Sequence, residues 1–187
     1  MFKRIVVPLI ALALITVGAL AQTSRFTLKS ADIASRSTIK LEHVFNSFGC
    51  TGQNISPSLE WAGVPAAAKS LALIVHDPDA PTGVGGFTHW IVYNIPVNAS
   101  KLEKGAGSSD GKLLPSGAVQ HATSFGAPGW GGPCPPAGDK PHRYVFTLYA
   151  LGVDKLELPA NASQAFVGFN INGNSVGKAS FTAFFGR

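Results

Sequence analysis

Three long apolar runs, each bounded by Gly, Pro or charged residues, decide what this chain can fold into: Ser70 to His76, His89 to Ile95, and Arg143 to Leu151. Runs of seven to nine apolar residues are short for helices, and their Val, Ile, Leu, Trp and Tyr content suits strands buried on both faces. Ala179 to Phe185 reads as a last strand, and the alternation in Phe26 to Lys29 and in Thr38 to Glu42 predicts two short strands buried on one face. Gly and Pro make up 34 of 187 residues, about 18%, which exceeds an ordinary domain's share but stays below low complexity. With 45% hydrophobic and only 13% charged residues the chain is too apolar for intrinsic disorder, and its length predicts one domain. The sum is a mainly β protein, an antiparallel sheet or sandwich. One helix is predicted near the C-terminus, with Asn161 as N-cap, Gln164 closing a capping box, and Ala165, Phe166, Val167 and Phe169 following. Asp79 to Gly86 and Gly126 to Pro141 are too rich in Gly and Pro for regular structure and are expected to be loops.

The first residues set the compartment. Lys3 and Arg4 precede an uncharged run from Ile5 to Leu20, and Ala19-Leu20-Ala21 supplies a small-x-small cleavage pattern. Residues 1–21 are therefore expected to be a cleaved signal peptide, leaving 22–187 as a single domain that is periplasmic or secreted. The alternative is an N-terminal membrane anchor, although the run reaches spanning length only by counting Gln22, Thr23 and Ser24. No Cys follows the run, which argues against a lipid-modified form, and no stable membrane span is expected after cleavage. Cleavage also lowers the formal charge from +5 to +3, and the remaining cations are scattered, so no nucleic-acid partner is expected. Cys50 and Cys134 form an even pair in an oxidising compartment and are expected to be bridged; the alternative is two free thiols.

Polar residues at strand ends mark the candidate site. The run ending at His76 leads directly into Asp77-Pro78-Asp79-Ala80-Pro81, two carboxylates in a Pro-stiffened turn, while His89 and His142 each stand at a strand start after a Gly/Pro-rich loop. Each has a structural alternative: Asp77 or Asp79 as an Asx cap of the turn, His89 as a satisfied core histidine. His43, His76 and His121 carry no such signal.

Taken with their neighbours, these residues resemble the phosphatidylethanolamine-binding protein family, which includes Raf kinase inhibitor protein and an exported bacterial branch. Asp77-Pro78-Asp79-Ala80-Pro81 followed by His89-Trp90 is similar to the family's first signature. Gly132-Pro133-Cys134-Pro135-Pro136, with Gly138 and His142-Arg143-Tyr144, is similar to its second. Asn54 to Trp61 and Lys69 to Leu73 also resemble family segments, so the likeness spans Phe26 to Arg187. Two departures stand out: Gly173-Asn174-Ser175-Val176-Gly177 lacks a histidine that bacterial relatives tend to carry after the helix, and Val119 to Gly126 lacks an Asn-Asp pair.

The resemblance implies an antiparallel β-sandwich with Greek-key connections and a short C-terminal helix. It also implies a small anion pocket with Asp77, Asp79, His89, Gly132, Pro133, His142 and Tyr144 as ligand-binding residues. Two imidazoles, a phenol and a glycine-rich backbone can donate to a phosphate, and a carboxylate can accept from an imidazole or an ethanolamine ammonium. The expected ligand is a phosphate or phospholipid head group of the phosphoethanolamine type, with modulation or inhibition of a protein partner as an accompanying expectation. No cofactor, metal or catalytic residue is expected. The alternative is a hydrolase using His89 and His142 as acid and base, or with Asp77 as a metal site. No Gly-x-Ser-x-Gly or His-Glu-x-x-His segment supports it.

Overall fold

The structure, a computed structural model, describes residues 25–187, so the signal peptide expected over 1–21 lies outside the described residues. Two antiparallel sheets form a sandwich. Strands β1 (Thr27–Lys29), β2 (Leu59–Ala62) and β5 (Lys101–Leu102) make the small sheet, in the order β1-β2-β5. The large sheet contains β3 (Ser70–Asp77), β4 (Phe87–Pro96), β6 (Val119–Gln120), β7 (His142–Leu151) and β8 (Ser175–Phe185), in the order β6-β4-β3-β7-β8. β7 returns to lie beside β3 after the chain has passed through β4 and β6, which is the Greek-key order.

The apolar runs explain this arrangement. Side chains alternate across a strand, so Leu71, Leu73 and Val75 of β3 enter the inter-sheet core, whereas Ala72 joins a second cluster on the outer face with Ile91, Tyr93, Leu151 and the helix residues Val167 and Ile171. A central strand with both faces covered needs apolar residues at every position, hence the continuous run. Between the sheets, Phe146 stacks on Phe181 at 4.6 Å, and Trp130 stands edge-on to Trp90 at 6.0 Å. Each tryptophan N–H finds an acceptor: Trp61 donates to the Ala99 carbonyl, Trp90 to Gln120 Oε1 and Trp130 to the His43 carbonyl.

Two expectations about local structure are corrected. Thr38 to Glu42 is not a strand. The chain makes one parallel bridge, Thr38 to Phe184, and then turns into a 3₁₀ helix over Leu41–His43, which buries Ile39 but leaves Leu41 62% exposed. Here β8 makes only a short edge contact, in which Arg36 N–H donates to the Thr182 carbonyl, Phe184 N–H to the Ser37 carbonyl and Ile39 N–H to the Phe184 carbonyl, before the chain turns away. In the helix α1 (Gln164–Gly173) the N-cap is Ser163 rather than Asn161, its hydroxyl accepting from Phe166 N–H. The Pro159 carbonyl accepts from Ala162 N–H, so the turn runs past Asn161 before the helix begins and Gln164 falls too early for a capping box.

Candidate functional site

Register brings three strand ends to one edge of the large sheet. Asp77, the last residue of β3, pairs with Phe87, the first of β4, and His76 pairs with Val145 of β7. Antiparallel pairing therefore gathers the end of β3 with the starts of β4 and β7. A period of two then puts Phe87 and His89 on one face of β4, and His142 and Tyr144 on one face of β7. These residues line a cavity of about 220 Å³, completed by Phe48, Phe125, Thr82 and the Cys134-Pro135-Pro136 segment.

Asp77 is both a cap and a site residue. Its Oδ1 accepts from the Asp79 and Ala80 N–H groups at 2.8 and 3.1 Å, which is the Asx turn, while its Oδ2 accepts from His142 Nδ1 at 2.8 Å. Both partners are nearly removed from solvent. The Nε2 of His142 lies 3.4 Å from Asp139 Oδ2.

The imidazole of His89 is oriented by the loop before β7. Its Nδ1 donates to the Gly131 carbonyl at 2.6 Å, leaving Nε2 buried without a protein partner among the described residues. Burial pushes its pKa from 6.5 down to about 4, against the opposing pull of the Gly131 carbonyl and the Asp77 charge. The ring is thus neutral at physiological pH, with a bare lone pair on Nε2. Tyr144, its ring 5.1 Å from that of His89, has a buried hydroxyl that faces the Asp77 carboxylate without a well-formed hydrogen bond to it. Burial and then the Asp77 charge hold this phenol well above its ordinary pKa, so it remains an O–H donor.

Asp79, Gly132 and Pro133 do not line this cavity. Asp79 forms a two-oxygen ion pair with the Arg143 guanidinium, with contacts of 2.7 and 2.9 Å, and accepts from Arg143 N–H; this partner holds its carboxyl at about 2, against the opposing effect of burial. Gly132 serves a close approach: its N–H donates to Asn54 Oδ1 at 2.7 Å, and a Cβ there would lie 2.2 Å from the His43 carbonyl oxygen. The carbonyl of Pro133 accepts from Phe45 N–H. Together these two residues fasten the Gly-rich loop to the segment carrying Phe45 and Phe48.

The aromatic wall is what sequence reasoning missed. Phe125 packs on Phe45 at 4.5 Å and edge-on to Phe87 at 4.8 Å, and Phe48 stacks on it at 6.3 Å. Phe48 is 71% exposed and has a φ of 54°, a left-handed backbone held by the loop that ends at Cys50. The Cys50–Cys134 disulfide, expected from the cysteine count, joins that loop to the cavity wall. One signal was available: Phe87 is two residues before His89, the strand spacing for a shared face.

Of the remaining histidines, His76 bonds the Gly85 carbonyl, His121 the Ala162 carbonyl and His43 the Ile55 carbonyl. Among the described residues no group of three or more His, Cys, Asp or Glu is placed to hold a metal ion. No described helix is long and apolar enough to cross a membrane.

Residues 29–186 match the family described as Phosphatidylethanolamine-binding protein. The Escherichia coli protein YbcL is 48% identical over 162 residues, covering 87% of this chain and 88% of its own length. YbhB of the same organism is 43% identical over 158 residues, covering 84% and 98%. The crystal structure of E. coli YbcL, described as a new member of the mammalian PEBP family, superposes with a TM-score of 0.84, covering 88% of this chain and 99% of that one.

Proposed function

We propose, starting from the fact that this chain belongs to the phosphatidylethanolamine-binding protein family, that it is an exported, non-enzymatic binder of phosphate-bearing or phospholipid head groups of the phosphoethanolamine type. The observation that carries the reading is the floor of the 220 Å³ cavity. Asp77, His142, His89 and Tyr144 line it together, the first two bonded to one another and His89 Nε2 and Tyr144 Oη buried without a well-formed protein hydrogen bond. Buried polar atoms are nearly always hydrogen-bonded, and leaving one unmade costs about 1–3 kcal/mol, so the bare His89 Nε2, beside a Tyr144 hydroxyl with only the Asp77 carboxylate near it, favours a ligand that supplies their partners. The aromatic and Pro-rich walls suit the glycerol and acyl portion beyond a polar head. Export rests on the signal-peptide pattern and on the Cys50–Cys134 bridge, which suits an oxidising compartment. The aromatic mouth around the exposed Phe48 is also where a protein partner would read whether the pocket is filled.

Hydrolysis is the competing reading, and the 2.8 Å Asp77–His142 bond is what favours it, because a carboxylate orienting an imidazole is an acid–base arrangement. One experiment separates the two. Calorimetric titration of residues 22–187 with phosphoethanolamine, alongside an assay for released phosphate, should give saturable binding that Tyr144→Phe and His142→Ala weaken, with no turnover. Absence of binding would remove the binder reading, and phosphate release abolished by His142→Ala would replace it with the hydrolase.

A further inference from the structure

We infer, building on the head-group reading above, that this pocket takes up one proton with each phosphate dianion it binds, the proton lying between a ligand oxygen and His89 Nε2. The geometry that requires this is local. Nδ1 of His89 is committed as a donor to the Gly131 carbonyl at 2.6 Å, so the uncharged ring can offer only an acceptor at Nε2. That acceptor is buried, without a protein partner, and belongs to a residue lining the cavity. A phosphate oxygen without hydrogen would set lone pair against lone pair there, and the contact becomes favourable only when a hydrogen stands between them.

The surrounding charges point the same way. Among the described residues none of the cavity's lining residues is Lys or Arg; the Arg143 guanidinium is committed to Asp79 outside it, and that of Arg187 to the backbone carbonyls of Pro135, Gly49 and Phe48 behind the wall. The groups facing His89 are Asp77 from the end of β3, His76 beside it, Tyr144 and His142 from β7, and the Gly131 carbonyl from the loop. Asp77 is the charge that a dianion would meet, and a proton entering with the ligand offsets one unit of that repulsion. Tyr144 Oη, kept as an O–H by burial, supplies a second bond to the same head group without a charge change. Where the free ligand is a dianion, the proton comes from solvent; where it is already a monoanion, the ligand brings it. The balance is the same whether the proton rests on nitrogen or on oxygen in the complex.

The test is a calorimetric titration of residues 22–187 with methyl phosphate at about pH 8, where a phosphate ester with a second ionisation near 6 is a dianion, in two buffers of different ionisation enthalpy. Uptake of about one proton per ligand bound is expected, with affinity falling about tenfold per pH unit above the ligand's second ionisation and levelling off below it. In His89→Gln, whose amide N–H donates by itself, uptake and pH slope should both vanish. On the unmutated protein the ¹⁵N resonance of His89 Nε2 should leave its bare-nitrogen position on ligand addition. Saturable binding without proton uptake, or uptake that persists in His89→Gln, overturns the inference while leaving the head-group reading intact. Failure of methyl phosphate to bind at any pH overturns both.

Discussion

Acid should destabilise the ligand-free protein through His89 before it does so through Asp79. The imidazole is buried and its pKa falls from 6.5 to about 4 on folding. Because the folded pKa is depressed, the neutral ring contributes stability that is present above pH 6.5 and is lost as pH falls from 6.5 through about 4, where the unfolded chain binds a proton that the folded chain refuses. At about 1.4 kcal/mol per pH unit, that displacement is worth about 3 kcal/mol. Asp79, held at about 2 by Arg143, loses its contribution only as pH falls from 3.8 towards 2, below this window. Urea unfolding in phosphate-free buffer at about pH 7, 5 and 4 should therefore show a progressive loss of stability, and His89→Gln, which does not titrate, should lose about 3 kcal/mol less over the same range. A variant that loses as much stability as the unmutated chain would refute the assignment of a neutral, buried imidazole.

Three further outcomes follow from the packing around the site. Cys50→Ser should lower the melting temperature under oxidising conditions, by up to about 4.5 kcal/mol of stability for a closed loop of 84 residues; an unchanged Tm would count against a stabilising bridge. Gly132→Ala, which sets a methyl against the His43 carbonyl, should cost about 1–3 kcal/mol and weaken ligand binding by moving the adjoining Cys134–Pro136 wall and the Gly131 carbonyl that orients His89, checked by thermal melting and titration; full stability would contradict the close approach. Asp79→Asn should cost at most about 1 kcal/mol, since its pair with Arg143 is half exposed, and should leave ligand affinity within about twofold; a large affinity loss would place Asp79 in the site.

The parts of the fold legible in sequence are those where burial acts on every residue of a run. β3, β4 and β7 are covered on both faces, so their apolar runs extend nearly from end to end, and the Gly/Pro-rich segments between them are loops. β5 and β6 were not legible, because two residues each carry no period and are held by partners distant in sequence, Leu59 to Leu102 and Val92 to Gln120. Thr38 to Glu42 misleads for the same reason: its alternation is real, but only one bridge to β8 is on offer. At the site, Asp77, His89 and His142 stand out because polar residues at the ends of buried strands are conspicuous, whereas Tyr144 is marked only by the family resemblance. Gly132 and Pro133 are likewise marked by the resemblance, and their role in clamping the loop through Asn54 and Phe45 depends on contacts no local pattern encodes. The wall of Phe48, Phe87 and Phe125 comes from separate loops and a strand end, which only the tertiary fold brings together.

The central claim is that one cavity, floored by His89, His142, Asp77 and Tyr144, holds a phosphate-bearing head group. Its most direct test is an imidazole NMR titration of residues 22–187 with phosphate and with phosphoethanolamine, repeated in Tyr144→Phe. Saturable shifts of both the His89 and His142 rings, with one apparent Kd for the two and weaker binding in the variant, are predicted. Rings that stay unmoved at millimolar ligand, or that move with unrelated affinities, would contradict it.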